Sequence, residues 1–120
     1  MTASPRAVEL TTLAAAAAAE VKATDAIAFD VTSIMPLADV FLVLSGGNER
    51  QVAAIAERIE KDLAPHGAKV SRSEGVREGR WALLDFNEII VHVMHQEDRA
   101  YYELERLWKD CPAVPTSPDA

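Results

Sequence analysis

Cysteine is nearly absent from this chain of 120 residues, which contains only Cys111. A single cysteine excludes an internal disulfide framework and a metal site built from several thiolates. Long apolar runs are absent as well, because no stretch approaches the roughly 18–20 residues of a membrane-spanning helix. The alanine-rich segment 14–19 lies between Glu9 and Glu20 and lacks the Leu- and Val-rich centre of a signal peptide. We therefore expect a cytoplasmic protein that makes no membrane contact.

Positive charge is also scarce. The chain has 12 Lys and Arg residues against 19 Asp and Glu residues, a formal net charge of −7. Binding to nucleic-acid phosphates depends on clustered Lys and Arg, whereas the basic residues here are scattered singly. We therefore expect no direct nucleic-acid site and a basic partner, whose approach an acidic surface would accelerate.

Hydrophobic periodicity and turn residues predict eight elements in the order α-β-β-α-β-β-β-α. The first helix is predicted to begin at Pro5 with Ser4 as its N-cap. The second begins in a capping-box pattern at Asn48 and Gln51 and ends at Pro65. The third runs from Glu97 to the residue before Pro112. The strands are predicted at residues 25–30, 40–44, 69–72, 80–85 and 88–94.

This order indicates an α+β fold with one mixed sheet of about five strands and helices packed mainly on one face. Residues 1–111 are predicted to form a single domain. Residues 112–120 contain three prolines and no apolar periodicity. We therefore expect that segment to be a disordered tail.

The last two strands are predicted to form a hairpin around the two-residue loop Phe86-Asn87. In that register Asp85 pairs with Glu88, which places Leu83 opposite Ile90 and Trp81 opposite His92. Because side chains alternate along a strand, these residues share one face, while Ala82 and Leu84 face the helices.

The shared face predicts a partner-binding patch. It would consist of Trp81, Leu83, Ile90 and His92, with Asp85, Glu74 and Met94 at its rim. In the last helix, Tyr101, Leu104 and Trp108 are spaced as a packing face, so Tyr102 and Glu105 are predicted to be available to the partner. A role for Trp81 as an ordinary core residue remains open at this point.

Catalytic chemistry has little support. The arrangement strand–Ser45-Gly46–helix is similar to that of nucleotidyltransferases, but the next strand lacks their two metal-binding carboxylates. His92 and His95 project from opposite faces of one strand, and no serine lies in a nucleophile elbow. We therefore predict no catalytic residue, no metal and no cofactor, although a residual nucleotide-binding enzyme remains an alternative.

The ordered set of motifs resembles the ribosomal silencing factor family, also called RsfS, YbeB or iojap-like proteins. The resemblance covers roughly residues 8 to 110. Asn48 and Asn87 replace residues that are usual in the family, but each suits its cap or turn. The matching positions are Asp39–Gly46, Arg50–Val52, Ala54–Ala56, Glu74-Gly75, Trp81, Leu84-Asp85, Val91-His92, Arg99, Tyr102 and Leu104–Trp108.

The resemblance implies a fold related to nucleotidyltransferases but without their activity. It also implies binding to the large ribosomal subunit through its fourteenth ribosomal protein, on the surface that meets the small subunit. Such binding would prevent the joining of the subunits and repress translation when nutrients are scarce. Free members of the family tend to be homodimers. An adaptor with a non-ribosomal partner is the remaining alternative.

Overall fold

The structure is a computed structural model that describes residues 2–117. Within these residues it contains three α-helices and one six-stranded sheet. The helices are α1 (Pro5–Glu20), α2 (Glu49–Leu63) and α3 (Gln96–Tyr102), and short 3-10 turns follow at Ala64–His66 and Leu104–Trp108. The strands are β1 (Thr24–Asp30), β2 (Val40–Gly46), β3 (Arg72–Glu74), β4 (Trp81–Asp85), β5 (Ile89–His95) and β6 (Ala113–Val114).

The predicted α+β class and mixed sheet are confirmed, but the sheet has six strands where about five were expected. Their order is β3-β4-β5-β2-β1-β6. The central strands β2 and β5 are parallel, and every other neighbouring pair is antiparallel. All seven residues of β2 are buried, as its continuous apolar sequence predicts for a central strand.

The extra strand comes from the segment that was predicted to be a disordered tail. Ala113 and Val114 pair with Phe29 and Ala28 of β1, so that prediction is wrong for these residues. Two residues are too few to show periodicity, and β6 depends on the unpaired edge that β1 offers. The part of the predicted tail at residues 118–120 lies outside the described residues.

The β4–β5 hairpin has a different register from the predicted one. Asp85 pairs with Ile90, and Phe86 donates its N–H to the carbonyl of Ile89 at 3.0 Å. The tight turn therefore lies at Asn87 and Glu88, and Asn87 has the positive φ of 74° that such a turn requires. The cause is Phe86, which is 2% exposed and packs in the core, whereas the predicted loop would have exposed it.

The slip amounts to two residues. Because the side-chain period of a strand is also two, every residue keeps its predicted face. Ala82 and Leu84 are fully buried against the helices, as expected. β3 begins three residues later than predicted, at Arg72, because that is where pairing with Asp85 begins.

α1 and α2 cover one face of the sheet, which we call the near face. The core between them is aliphatic apart from Phe86. Gln51 links the two helices. Its backbone N–H bonds to Asn48, while its side-chain nitrogen donates to the carbonyls of Val21 and Lys22 at the end of α1.

The predicted last helix is broken. α3 ends at Tyr102, Glu103 adopts a left-handed conformation with φ 48°, and a 3-10 turn follows. The stripe of Tyr101, Leu104 and Trp108 therefore does not exist as one face. Tyr101 is exposed, whereas Leu104 and Trp108 pack on the sheet.

Candidate partner-binding face

The face of the sheet opposite α1 and α2, here called the far face, carries the predicted patch. Strand register arranges its side chains in rows that run across β2, β5, β4 and β3. The rows are Phe41, Ile90, Asp85 and Arg72; then Val43, His92, Leu83 and Glu74; then Ser45, Met94 and Trp81.

One half of the far face is closed by the C-terminal strap, which we define as residues 103–114. Within it, the ring of Trp108 makes edge contacts with Phe29 and Phe41, at centroid distances of 5.8 Å and 4.8 Å. It also lies 5.7 Å from the ring of His92. This aromatic packing shields the β1–β2 side of the far face.

The other half is partly open. Trp81, Leu83 and Ile90 are each half-buried, and Tyr102 at the end of α3 is 51% exposed. The rings of Trp81 and Tyr102 lie 5.2 Å apart. These four residues form what we call the open patch. The structure therefore brings together Trp81, Leu83, Ile90 and Tyr102 as the sequence predicts.

Two predicted patch residues are buried beneath it. Met94 is 0% exposed and belongs to the far-face core, so its predicted place at the rim is wrong. It pairs with Trp81 in the register and belongs to the same far-face cluster as Leu104, against which Trp81 and Trp108 pack. His92 is 7% exposed and supports the patch from below.

His92 has a specific hydrogen-bond arrangement. Its Nδ1 accepts the indole N–H of Trp81 at 3.1 Å. Its Nε2 is buried without a hydrogen-bond partner among the described residues. Burial disfavours the charged imidazolium and lowers the pKa of His92 from 6.5 to about 4. The side chain is therefore neutral at physiological pH.

The predicted acidic residues have different surroundings. Glu74 is exposed on the edge strand β3, and half-buried Asp85 accepts the N–H of Asn87 at 2.8 Å. Glu105 was predicted to be available to a partner, but it pairs with Arg99. Arg72, which was not predicted, lies beside Asp85 in the register, so the rim is not uniformly acidic.

A polar network at the start of β4 positions Trp81. Arg80, the preceding residue, contacts Asp98 at 2.5 Å, Glu97 at 3.3 Å and Glu49 at 3.6 Å. Its neighbour Gly79 has φ 72°, and a side chain there would meet the backbone of Glu49 at 2.4 Å. Because these contacts join segments that are distant in the sequence, no local sequence pattern other than the glycine could have predicted them.

A cavity of about 530 Å³ lies beside the end of β2, and its lining includes Ser45, Arg99 and Arg106 together with the acidic residues Asp25, Glu103 and Glu105. Ser45 is 1% exposed, and its hydroxyl accepts a hydrogen bond from Arg99 at 2.9 Å. Arg99 is also paired with Glu105. No group of three His, Cys, Asp or Glu side chains within residues 2–117 is placed to hold a metal ion. The hydroxyl of Ser45 and the guanidinium of Arg99 are thus already engaged with partners within the protein.

At the coarsest level, the fold and the open patch define a small α+β domain with an aromatic surface suited to protein contact. None of its helices, over the part of the chain described, combines the length and apolar character needed to cross a membrane.

Comparison with known proteins identifies the family. The model of the family "Ribosomal silencing factor during starvation" matches residues 4–120. The Ribosomal silencing factor RsfS of Halalkalibacterium halodurans is 42% identical over 106 residues, which are 88% of this chain and 91% of that protein. The chain belongs to the ribosomal silencing factor family, as its motifs predicted. Members of this family are regulatory proteins and are not known as enzymes.

Two further comparisons extend this result. A crystal structure of a protein from Chromobacterium violaceum matches with a TM-score of 0.81 and 35% identity over 84% of each chain. A more distant mouse relative is named "Mitochondrial assembly of ribosomal large subunit protein 1". It is 30% identical over 89 residues, which are 72% of this chain and 39% of the mouse protein.

Proposed function

We propose that this protein binds the large ribosomal subunit through its fourteenth ribosomal protein and thereby blocks joining of the small subunit. Translation would be repressed in this way under nutrient limitation. Membership of the ribosomal silencing factor family supports the proposal, as does the reference to the large subunit in the name of the mouse relative. The protein acts in this proposal as a steric block and carries out no reaction.

The open patch is the observation that carries the proposal. Trp81 and Tyr102 pack side by side next to Leu83 and Ile90, and all four keep part of their surface accessible. Aromatic anchors of this kind dominate the energetics of protein interfaces. The closed half of the far face provides a rigid base beneath them, which limits the entropy lost on binding.

Charge supports a basic partner. The net charge of −7 would attract a basic ribosomal protein over about one Debye length and would repel the RNA phosphates of the incoming small subunit. Glu74, which is exposed at the patch rim, is suited to meet a basic side chain, whereas Glu105 is already neutralised by Arg99. We include in the proposal a cytoplasmic location and a free homodimer.

Sedimentation of purified ribosomal subunits tests the proposal. We expect the protein to travel with the large subunit and, when small subunits are added, to reduce the fraction of joined ribosomes. Tyr102→Ala should weaken both effects, because it removes an exposed ring of the open patch. Lys61→Ala on the outer surface of α2 is the matched control and should behave as the unmodified protein.

Two results would contradict the proposal. One is sedimentation of the unmodified protein with the small subunit alone or with neither subunit. The other is binding to the large subunit with no effect on joining, which would leave an adaptor role in place of a steric block. A direct pull-down with the fourteenth ribosomal protein identifies the partner within the subunit.

A further inference from the structure

The hydrogen bond between Trp81 and His92 connects the open patch to the closed half of the far face. Trp81 pairs with Met94 and His92 pairs with Leu83, so the two rings are diagonal neighbours on adjacent strands. Their centroids are 6.1 Å apart, and the indole nitrogen lies 3.1 Å from Nδ1 of the imidazole. Diagonal neighbours of this size are within reach of one another.

The chemistry of the two groups determines the protonation of the imidazole. An indole N–H can only donate, so Nδ1 of His92 must be unprotonated to accept it. The neutral ring then carries its proton on Nε2, which is buried without a hydrogen-bond partner among the described residues. The imidazole therefore leaves one donor unsatisfied while it satisfies the indole.

The rest of the packing holds His92 in place. Its ring lies 5.5 Å from that of Phe41 and 5.7 Å from that of Trp108. The closed half of the far face thus clamps the imidazole on two sides. Among the described residues, the other aromatic ring in contact with Trp81 is that of Tyr102, which is itself exposed.

We propose that His92 is a positioning residue that fixes the orientation of the Trp81 indole for partner binding and does not touch the partner itself. This inference rests on the proposed function of the open patch. Without an acceptor beneath it, the indole N–H would have to turn toward solvent to find one. The ring would then leave its place beside Tyr102, and the patch would lose its preorganised shape.

The first test uses the unmodified protein and needs no partner. Nitrogen-15 NMR of the imidazole at neutral pH should show Nδ1 without a proton and Nε2 with one. A scalar coupling across the hydrogen bond should connect Nδ1 to the indole nitrogen of Trp81, which is assigned by comparison with Trp108→Phe. A proton on Nδ1, or no coupling to the indole, would overturn the inference.

The second test measures affinity for purified large subunits. His92→Phe keeps an aromatic ring but removes the hydrogen-bond acceptor. We expect the variant to bind about tenfold more weakly, because the free energy of one hydrogen bond that orients the indole is lost. His92→Asn places an amide oxygen near the position of Nδ1 and should bind within about threefold of the unmodified protein. Thermal melts establish a temperature at which each variant is folded.

The pattern across the two variants decides the question. Weak binding by the Phe variant together with restored binding by the Asn variant supports positioning through the acceptor. Unchanged binding by the Phe variant, or equal losses in both, would overturn it. If the unmodified protein does not bind large subunits, the proposed function fails, but the NMR test still reports on the His92–Trp81 bond.

Discussion

The two faces of the sheet are built differently. The near face is sealed by α1 and α2 over aliphatic side chains and alanine. The far face has a smaller core that contains the aromatic rings of Phe29, Phe41 and Trp108. The last two pack against the buried His92, and part of this face remains open. One side of the same sheet therefore provides most of the burial that stabilises the fold, while the other presents a surface.

The difference extends to polar atoms. On the near-face side, the buried Thr11 of α1 donates its hydroxyl to the carbonyl of Ala7 at 2.8 Å. The far face contains His92, whose Nε2 is the one buried side-chain nitrogen or oxygen left without a partner in the described residues. A domain stabilised mainly on one side can maintain a less favourable arrangement on the other, where it is useful for binding.

Placing a charge on each face should give the largest difference in stability between the two faces. Ile55→Asp puts a carboxylate in the sealed near-face core, where Ile55 is fully buried. We expect it to cost at least about 4 kcal/mol and to unfold most of the protein. The matched change on the far face, Ile90→Asp, should cost much less because Ile90 is half-buried. Circular dichroism and thermal melts measure both. Equal losses, or a stable Ile55→Asp protein, would contradict the contrast.

Acid should act on the far face through His92. Its pKa is about 4 in the folded protein and about 6.5 when unfolded, so between these values the unfolded state binds more protons. The free energy of unfolding should therefore fall as the pH is lowered from 6.5 to 4, by about 3 kcal/mol in total. Urea denaturation across this range measures the slope.

His92→Phe isolates this contribution, because carboxylates that titrate at similar pH remain in both proteins. The difference in unfolding free energy between the two should change through the window and level off below pH 4. A constant difference across the window would show that folding does not lower the pKa of His92.

Truncation on alternate residues of β4 should separate binding from folding. Trp81→Ala should weaken large-subunit binding at least about thirtyfold, which corresponds to about 2 kcal/mol. Leu84 is fully buried on the near face, and Leu84→Ala should instead cost about 2–5 kcal/mol of stability while the folded fraction still binds. Melting curves and large-subunit affinities are needed for both. If Trp81→Ala abolishes folding, Trp81 is a core residue.

The smallest effect should come from surface charge. Glu74→Lys changes the charge at the patch rim, and we expect an association rate roughly threefold lower at low salt with little change in dissociation. Glu57→Lys makes the same change in net charge on the exposed side of α2 and should have a weaker effect. An association rate that is independent of salt would remove electrostatic steering from the proposal.

The elements and the faces were predictable because they depend on local patterns. The apolar run of β2, the cap at Asn48 and the alternation along β4 each determine the structure of their own segment. The turn of the hairpin was misplaced because burial of Phe86 outweighs the preference of a loop for that position. The residues of the patch were still predicted on the correct face, because a register shift of two residues leaves every side chain on the same face of the sheet.

What could not be predicted depends on contacts between distant segments. The break at Glu103 lets the C-terminal strap turn onto the far face, and no local breaker such as glycine or proline marks it. The burial of Met94, the pairing of Glu105 with Arg99 and the strand β6 follow from that turn. Helical periodicity continues through residue 103, so it predicted one helix there.

A consequence for protein engineering follows from Asp30, where the two ends of the described chain meet. Its carboxylate accepts the N–H of Ala3 at 2.8 Å, and its own N–H donates to the carbonyl of Pro112 at 2.8 Å. The segment before α1 and the C-terminal end of the strap are therefore close in space. A circular permutant that joins them by a short linker and opens between the exposed residues Pro36 and Leu37, in the loop between β1 and β2, is expected to keep both faces intact, since exposed loops tolerate new termini.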